Sequence, residues 1–204
     1  MPAVPNRPQR FALIAVFLLV AAMAMAVLSF VMIKETPTGS GTALVGGPFT
    51  AINHKGETVT EKSFIGKYML VFFGYTYCPD VCPTQLQVMT AALQQLGPLA
   101  DKITPVLVSI DPERDTADVL ANYVSNFDER LVGLTGSPQQ IAAIAKAYRV
   151  YYAKAENKAA PADYLMDHTS IIYLMAADGS FLKHFSYTTD AKALSDGIKQ
   201  VIEK

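Results

Sequence analysis

The segment Tyr68-Met-Leu-Val-Phe-Phe73, Gly-Tyr-Thr-Tyr77, Cys78-Pro-Asp-Val-Cys82, continuing from Pro83 to Leu96, decides how the chain folds. It opens with an unbroken apolar run that includes aromatics, as a buried central strand requires. From Pro83 onward, Leu86, Met89, Leu93 and Leu96 recur at close to helical spacing, and Gly97-Pro98 marks the end. A strand therefore turns into a helix, and the chain's only two cysteines sit at the turn. Two thiols so spaced either close as a disulfide or share one metal ion as thiolates. Packing as small buried hydrophobes is the bland alternative. The turn position and the two prolines argue against it.

Working outward, Ile103 to Ile110 reads as the next strand, with Pro105 weakening its start. Asp111-Pro-Glu-Arg-Asp115 reads as a turn, either solvated or recognising a partner. Thr116 to Phe127 is expected to be a helix, Leu131 to Leu134 a strand, and Ser137-Pro138 the start of a helix running to about Tyr148. Residues 153–163, charged and alanine-rich, read as a loop. Thr169 to Met175 and Phe181 to Phe185 form a hairpin about Ala176-Ala-Asp-Gly179, and Ala191 to Ile202 a final helix. Upstream, Phe49 to Ile52 and Glu57 to Thr60 form a hairpin about Asn53-His-Lys-Gly56. This order predicts an α/β fold, a mostly parallel central sheet flanked by helices with additional β-hairpins. A cysteine pair just past the first central strand, at the start of its helix, is the thioredoxin-like arrangement.

The N-terminal part reads differently. Residues 1–10 are polar and carry Arg7 and Arg10, and Phe11 to Ile33 run 23 positions without a charge. A helix of roughly 20 apolar residues spans a bilayer. The expectation is a cytoplasmic segment 1–10, a transmembrane helix 11–33, a flexible linker 34–48 and a folded domain 49–204. The arginines before the span place the domain outside the cytoplasm, on the periplasmic side of a bacterial inner membrane. A cleaved signal peptide is the rival reading, but the apolar run continues past the small-residue sites at Ala22–Ala26. The part from Lys34 holds all 18 acidic but only 15 of the 17 basic side chains, a formal charge of −3. With no basic patch, nucleic acid is not an expected partner.

At the start of a helix, positions 78 and 82 stand ~6 Å apart on one face. That distance suits a disulfide or a shared ion, and the helix N-terminus favours the thiolate that both need. Asp80 opposes this by its charge, and is a candidate for contact with a bound metal or a partner. Two thiolates are too few for a closed zinc site, whereas two thiolates plus an imidazole suit copper, cuprous or cupric. Of the three histidines, His54 falls in a hairpin turn and His184 in a terminal strand. His168, just before a strand that a thioredoxin-like fold returns beside the cysteine turn, is the candidate third ligand, and Asp167 a candidate partner for its ring. Tyr75 and Tyr77 flank the site, as a shield or as ordinary packing. The scattered methionines form no metal-binding tract.

The segments Phe72-Phe-Gly-Tyr-Thr-Tyr-Cys78-Pro-Asp-Val-Cys82-Pro-Thr84, Val108-Ser-Ile-Asp-Pro-Glu-Arg-Asp-Thr116 and Tyr164-Leu-Met-Asp-His168-Thr169 resemble those of the Sco/SenC family. The turn at Met175-Ala-Ala-Asp-Gly179 departs from the family, which more often has a proline there. The resemblance implies a membrane-anchored thioredoxin-fold protein whose copper ligands are Cys78, Cys82 and His168, with Asp80 at the acidic loop position linked to copper transfer or partner recognition. It implies a role in delivering copper to the dinuclear site of cytochrome c oxidase subunit II, with another periplasmic copper chaperone as donor. The alternative is a membrane-anchored thiol–disulfide oxidoreductase in which Cys78 and Cys82 are a redox pair reducing that client. A peroxide-reducing enzyme ranks below both, because no arginine stands near Cys78 in sequence.

Overall fold

The structure is a computed structural model that describes residues 17–25, 45–155 and 164–203. It divides into residues 1–43 and 44–204. In the first part residues 17–25 are helical and largely exposed. Among the described residues no helix is long and apolar enough to cross a membrane. Segment 1–10, the rest of the apolar stretch 11–33 and most of the expected linker lie outside the described residues. The end of that linker belongs to the folded domain instead. Val45 packs on the core, and the Gly46 amide donates to the Ala147 carbonyl at 3.0 Å. Gly46 has φ +89°, and a Cβ there would stand 2.6 Å from Met175 Cε, so no larger residue fits this approach.

The domain centres on a seven-stranded sheet in the order β2-β1-β5-β4-β3-β8-β9. Its strands are β1 (Thr50–Asn53), β2 (Thr58–Thr60), β3 (Tyr68–Gly74), β4 (Ile103–Ser109), β5 (Val132–Thr135), β8 (Ile171–Met175) and β9 (Phe181–Ser186). The expected preponderance of parallel pairs is corrected. Among the described residues only β3–β4 and β4–β5 run parallel in this sheet, while β1–β2, β1–β5, β3–β8 and β8–β9 are antiparallel. The hairpins at the two ends of the chain flank a short parallel centre and reverse direction at both of its borders. Pro105 is tolerated inside β4 because pairing with β5 begins at Val106.

Among the described residues of the domain, four α-helices cover the sheet: α1 (Val81–Leu96), α2 (Ala117–Val124), α3 (Pro138–Ala147) and α4 (Ala191–Ile202). Alternation along β3 assigns its faces. Phe72 and Gly74 lie under Cys82 of α1, whereas Phe73, with Tyr173 of β8, meets Tyr148 just past α3. On the first face α4 packs against α1. Leu70, Phe72, Phe73, Leu107, Leu134 and Ile172 of the central strands have no exposed surface.

The local signals account for most of these bounds. Ser137 and Gln140 form a capping box with Pro138 in the first turn of α3. Asp190 caps α4 by accepting the Ala193 amide at 2.7 Å. α2 ends before Phe127 because Ser125 and Asn126 turn their side chains onto the carbonyls of Asn122 and Tyr123, offering the backbone another partner. Gly97-Pro98 ends α1 but opens a 3-10 segment, Gly97–Lys102. The expected loop 153–163 begins as a strand. β6 (Tyr152–Ala155) pairs antiparallel with β7 (Leu165–His168) in a separate two-stranded sheet, and residues 156–163 lie outside the described residues.

Candidate metal centre

The strand β3 ends at Gly74, and Tyr75 to Pro79 carry the chain into α1, whose N-cap is Asp80. A helix leaves its first amides without backbone partners. Asp80 contributes no side-chain cap; the Cys78 sulfur does that work, accepting the Cys82 amide at 3.4 Å. One cysteine is thus a helix cap and the other a first-turn residue. Both are free thiols, Cys78 half-buried and Cys82 without exposed surface. Gly74 makes room for the buried one: a Cβ there would stand 2.9 Å from both the Cys82 sulfur and Phe72 Cε1.

His168, the last residue of β7, faces this turn. Its Nε2 stands 3.7 Å from Cys82 Sγ. Its Nδ1 lies 3.2 Å from the Thr169 carbonyl. A carbonyl only accepts, so Nδ1 carries the proton and Nε2 presents its lone pair to the sulfur. Phe72 and Tyr75 meet the imidazole edge-on at 6.2 and 6.1 Å between ring centres. The Tyr75 hydroxyl accepts the Met166 amide at 3.1 Å, which ties β7 to the cysteine turn.

The three groups differ in acidity. The Cys82 thiol donates to the Cys78 sulfur, and with the amides of Cys82 and Asp80 this holds the Cys78 pKa down at about 5. The same contact, with burial, pushes the Cys82 thiol far up. Burial pulls His168 below the ordinary histidine value. The site therefore holds a thiolate, a thiol and a neutral imidazole at pH 7.

This donor set suits a soft cation. Ligands at ~2.3 Å for sulfur and ~2.0 Å for nitrogen, about 120° apart, stand about 3.7 Å from each other, the separation found between Cys82 and His168. The trio as a whole is more open: among the described residues no group of three or more His, Cys, Asp or Glu is closed around an ion position.

The other sequence candidates fall in different places. Asp80 is exposed, and its carboxylate accepts a long 3.5 Å contact from the Thr84 hydroxyl. Asp167 lies on the outer side of β7, exposed, while Met166 is buried; the ring of His168 is oriented by Thr169, and Asp167 acts on it through charge alone. His54 accepts the Gly133 amide through Nδ1 at 3.2 Å, and His184 stacks on Phe181. Tyr75 is buried and Tyr77 exposed.

The turn Asp111–Asp115 was not legible as part of the site. Asp111 and Asp115 have 1% and 0% exposure, which excludes the fully solvated turn that five polar or proline residues suggest. Arg114 lies over the Tyr77 ring at 4.5 Å, so the fold brings an arginine beside the residue preceding Cys78. Its guanidinium is paired with Asp111.

The sequence pattern of the SCO1/SenC family matches residues 37–203. A mitochondrial SCO1 homolog 1 of Arabidopsis thaliana is 41% identical over 85% of this chain and 52% of its own length. The human mitochondrial SCO1 homolog is 44% identical over 74% of this chain and 51% of its own. The chain thus spans about half the length of these curated relatives. Among solved structures, Arabidopsis thaliana ScoI with copper bound aligns with a TM-score of 0.74 at 41% identity, covering 78% of this chain and 98% of that one. Bradyrhizobium japonicum ScoI with copper bound gives 0.71 at 44%, covering 78% and 99%. BsSco, described as having a disulfide switch and as a member of the Sco family of cytochrome c oxidase assembly proteins, gives 0.60 at 26%, covering 78% and 93%.

Proposed function

The chain belongs to the SCO1/SenC family, and from that premise we propose that it is a copper-binding assembly factor whose ligands are Cys78, Cys82 and His168. The observation that carries this reading is the 3.7 Å approach of Cys82 Sγ to a proton-free Nε2. Copper-bound relatives of the same fold support the choice of metal. Rotation of the Cys78 side chain, away from the Cys82 amide and toward the imidazole, completes the set.

The client is the dinuclear copper site of cytochrome c oxidase subunit II. Handover is ligand exchange: partner thiolates or imidazoles replace Cys78, Cys82 and His168 one at a time, so the ion is never free. A periplasmic copper chaperone is the donor. The apolar stretch 11–33 anchors the chain in a bacterial inner membrane, with residues 1–10 cytoplasmic and the domain periplasmic. Tethering raises its effective concentration near a membrane-bound client.

A second reading is favoured by one observation, the pairing of an accessible thiolate with a buried thiol. The Cys78 thiolate attacks a client disulfide, forming a mixed disulfide and releasing one client thiolate. Cys82 gives up its proton and attacks the Cys78 sulfur, releasing the second client sulfur. The pair is oxidised by two electrons and the client reduced by two. The reduced pair that this reaction consumes is the form that binds copper.

The test is an anaerobic cuprous titration of the reduced chain in detergent, against a competing chelator, alongside His168→Ala. The expected result is one ion per chain, with affinity falling by more than the ~10–100-fold that loss of an outer partner costs. Affinity indifferent to His168 would remove the three-ligand site and leave disulfide exchange as the function.

A further inference from the structure

The site is assembled from two separately supported parts. The cysteines stand on the β3–α1 turn of the main sheet, whereas His168 ends the two-stranded β6–β7 sheet. Tyr75 joins them directly through the Met166 amide, and the Asp111–Asp115 turn touches both.

Toward the histidine, Arg114 Nη1 donates to the Tyr164 carbonyl at 3.0 Å, and the Tyr164 hydroxyl donates to Asp111 Oδ1 at 2.7 Å. The guanidinium lies 3.7 Å from the centre of the Tyr164 ring. Its Nε donates to Asp111 Oδ2, which closes a ring of contacts around buried Asp111. Lys154 of β6 adds an exposed pair with Glu113 at 2.7 Å. Toward the cysteines, Asp115 accepts the Thr76 amide at 3.0 Å and the Thr76 hydroxyl at 2.6 Å. Ser109 at the end of β4 donates to the same carboxylate at 2.6 Å. Thr76 is two residues from Cys78, and Tyr164 four residues from His168.

We propose that the Asp111–Asp115 turn is a jig that sets the spacing between the cysteine pair and His168, with Arg114 and Tyr164 as positioning residues that latch the histidine-bearing sheet onto it. None of these residues touches the ion position; they act through His168. One guanidinium that meets a carboxylate, a carbonyl and a ring face suits this role, because these contacts fix orientation as well as distance. Arg114 also lies over the Tyr77 ring at 4.5 Å, so its loss reaches both sides, whereas the Tyr164 hydroxyl bond to Asp111 serves the histidine side and Asp115 holds Thr76 independently. Loss of the Tyr164 hydroxyl loosens the imidazole and spares the thiols.

The experiment has a metal-free arm and a copper arm, both on the whole reduced chain in detergent. In the first, carbethoxylation of His168 and alkylation of Cys78 are timed by mass spectrometry for the parent, Arg114→Gln and Tyr164→Phe. The expected outcome is His168 modified about tenfold faster in Arg114→Gln, in line with the effect of outer partners on ligands. Tyr164→Phe, which keeps the ring and loses one hydroxyl, moves the same way by less, and in this variant the Cys78 rate stays at the parent value. In the second arm Arg114→Gln weakens cuprous affinity about tenfold, and adds nothing to the loss in His168→Ala. An unchanged His168 rate in both variants would overturn the proposal, as would equal acceleration at Cys78 in Tyr164→Phe, which means general loosening, or additive losses in the double variant. The copper arm rests on the copper-binding reading. If His168→Ala alone leaves affinity unchanged, that reading fails, and the metal-free arm still decides the latch.

Discussion

Loading the site at pH 7 should release one proton, not two. Cys78, with a pKa of about 5, is about 99% thiolate two units higher. Cys82 is a thiol, its pKa pushed up by its bond to the Cys78 sulfur and by burial. Burial keeps His168 neutral. Only Cys82 then has a proton to lose when both sulfurs become ligands. Two ordinary thiols near pKa 8.5 would each be about 97% protonated at pH 7 and would release about two. The perturbation is pH, and the logarithm of cuprous affinity is expected to rise with a slope of about one between pH 6 and 8. The slope steepens below about pH 5, where Cys78 also binds a proton. Calorimetric titration in buffers of different ionisation enthalpy counts the protons directly. A release of about two at pH 7 would refute the reasoning, because it requires both sulfurs to be protonated in the metal-free chain.

Three further outcomes are expected. Gly74→Ala places a methyl group 2.9 Å from the Cys82 sulfur and Phe72; overpacking of this kind costs about 1–3 kcal/mol, and a denaturation midpoint identical to the parent's would show that the sulfur has room to shift. Ser137→Ala removes the α3 capping box, costing about 1 kcal/mol while leaving copper affinity unchanged, so an affinity loss would mean that α3 is coupled to the site. Because the folded-state pKa of Cys78 is depressed, its contribution to stability is complete above the unfolded value of about 8.5 and is lost as pH falls through about 5. Urea midpoints of the reduced chain are therefore expected to climb between pH 5 and 8 more steeply than those of Cys78→Ser, and parallel curves would contradict the shift.

The sequence displays the parts of this fold that rest on local chemistry. Apolar runs give β3 and β4, helical spacing gives α1, and Ser137-Pro138 marks α3, because each depends on neighbours within a few positions. The parts it conceals depend on distant partners. Tyr152–Ala155 pairs only with Leu165–His168, and its lysine and alanines carry no strand signature of their own. Asp111 and Asp115 look solvated until Tyr164, Thr76 and Ser109 arrive from three other segments. The antiparallel borders of the sheet were similarly hidden, since hairpin signals reveal that two strands pair and not where the pair docks. At the candidate centre, the cysteines announce themselves by spacing, and His168 by its place before a strand. The pairing of Nδ1 with the carbonyl of Thr169 rather than with Asp167 follows from strand alternation, which turns Asp167 outward.

The unequal exposure of the two cysteines gives the site a front door and a back wall. Cys82 offers no surface to the outside, so any visitor, whether it brings an ion, takes one or presents a disulfide, meets the sulfur of Cys78 before that of Cys82. Arrival and departure share that one threshold. A bulky reagent that blocks Cys78 would close the site to all such traffic while leaving the inner sulfur chemically intact.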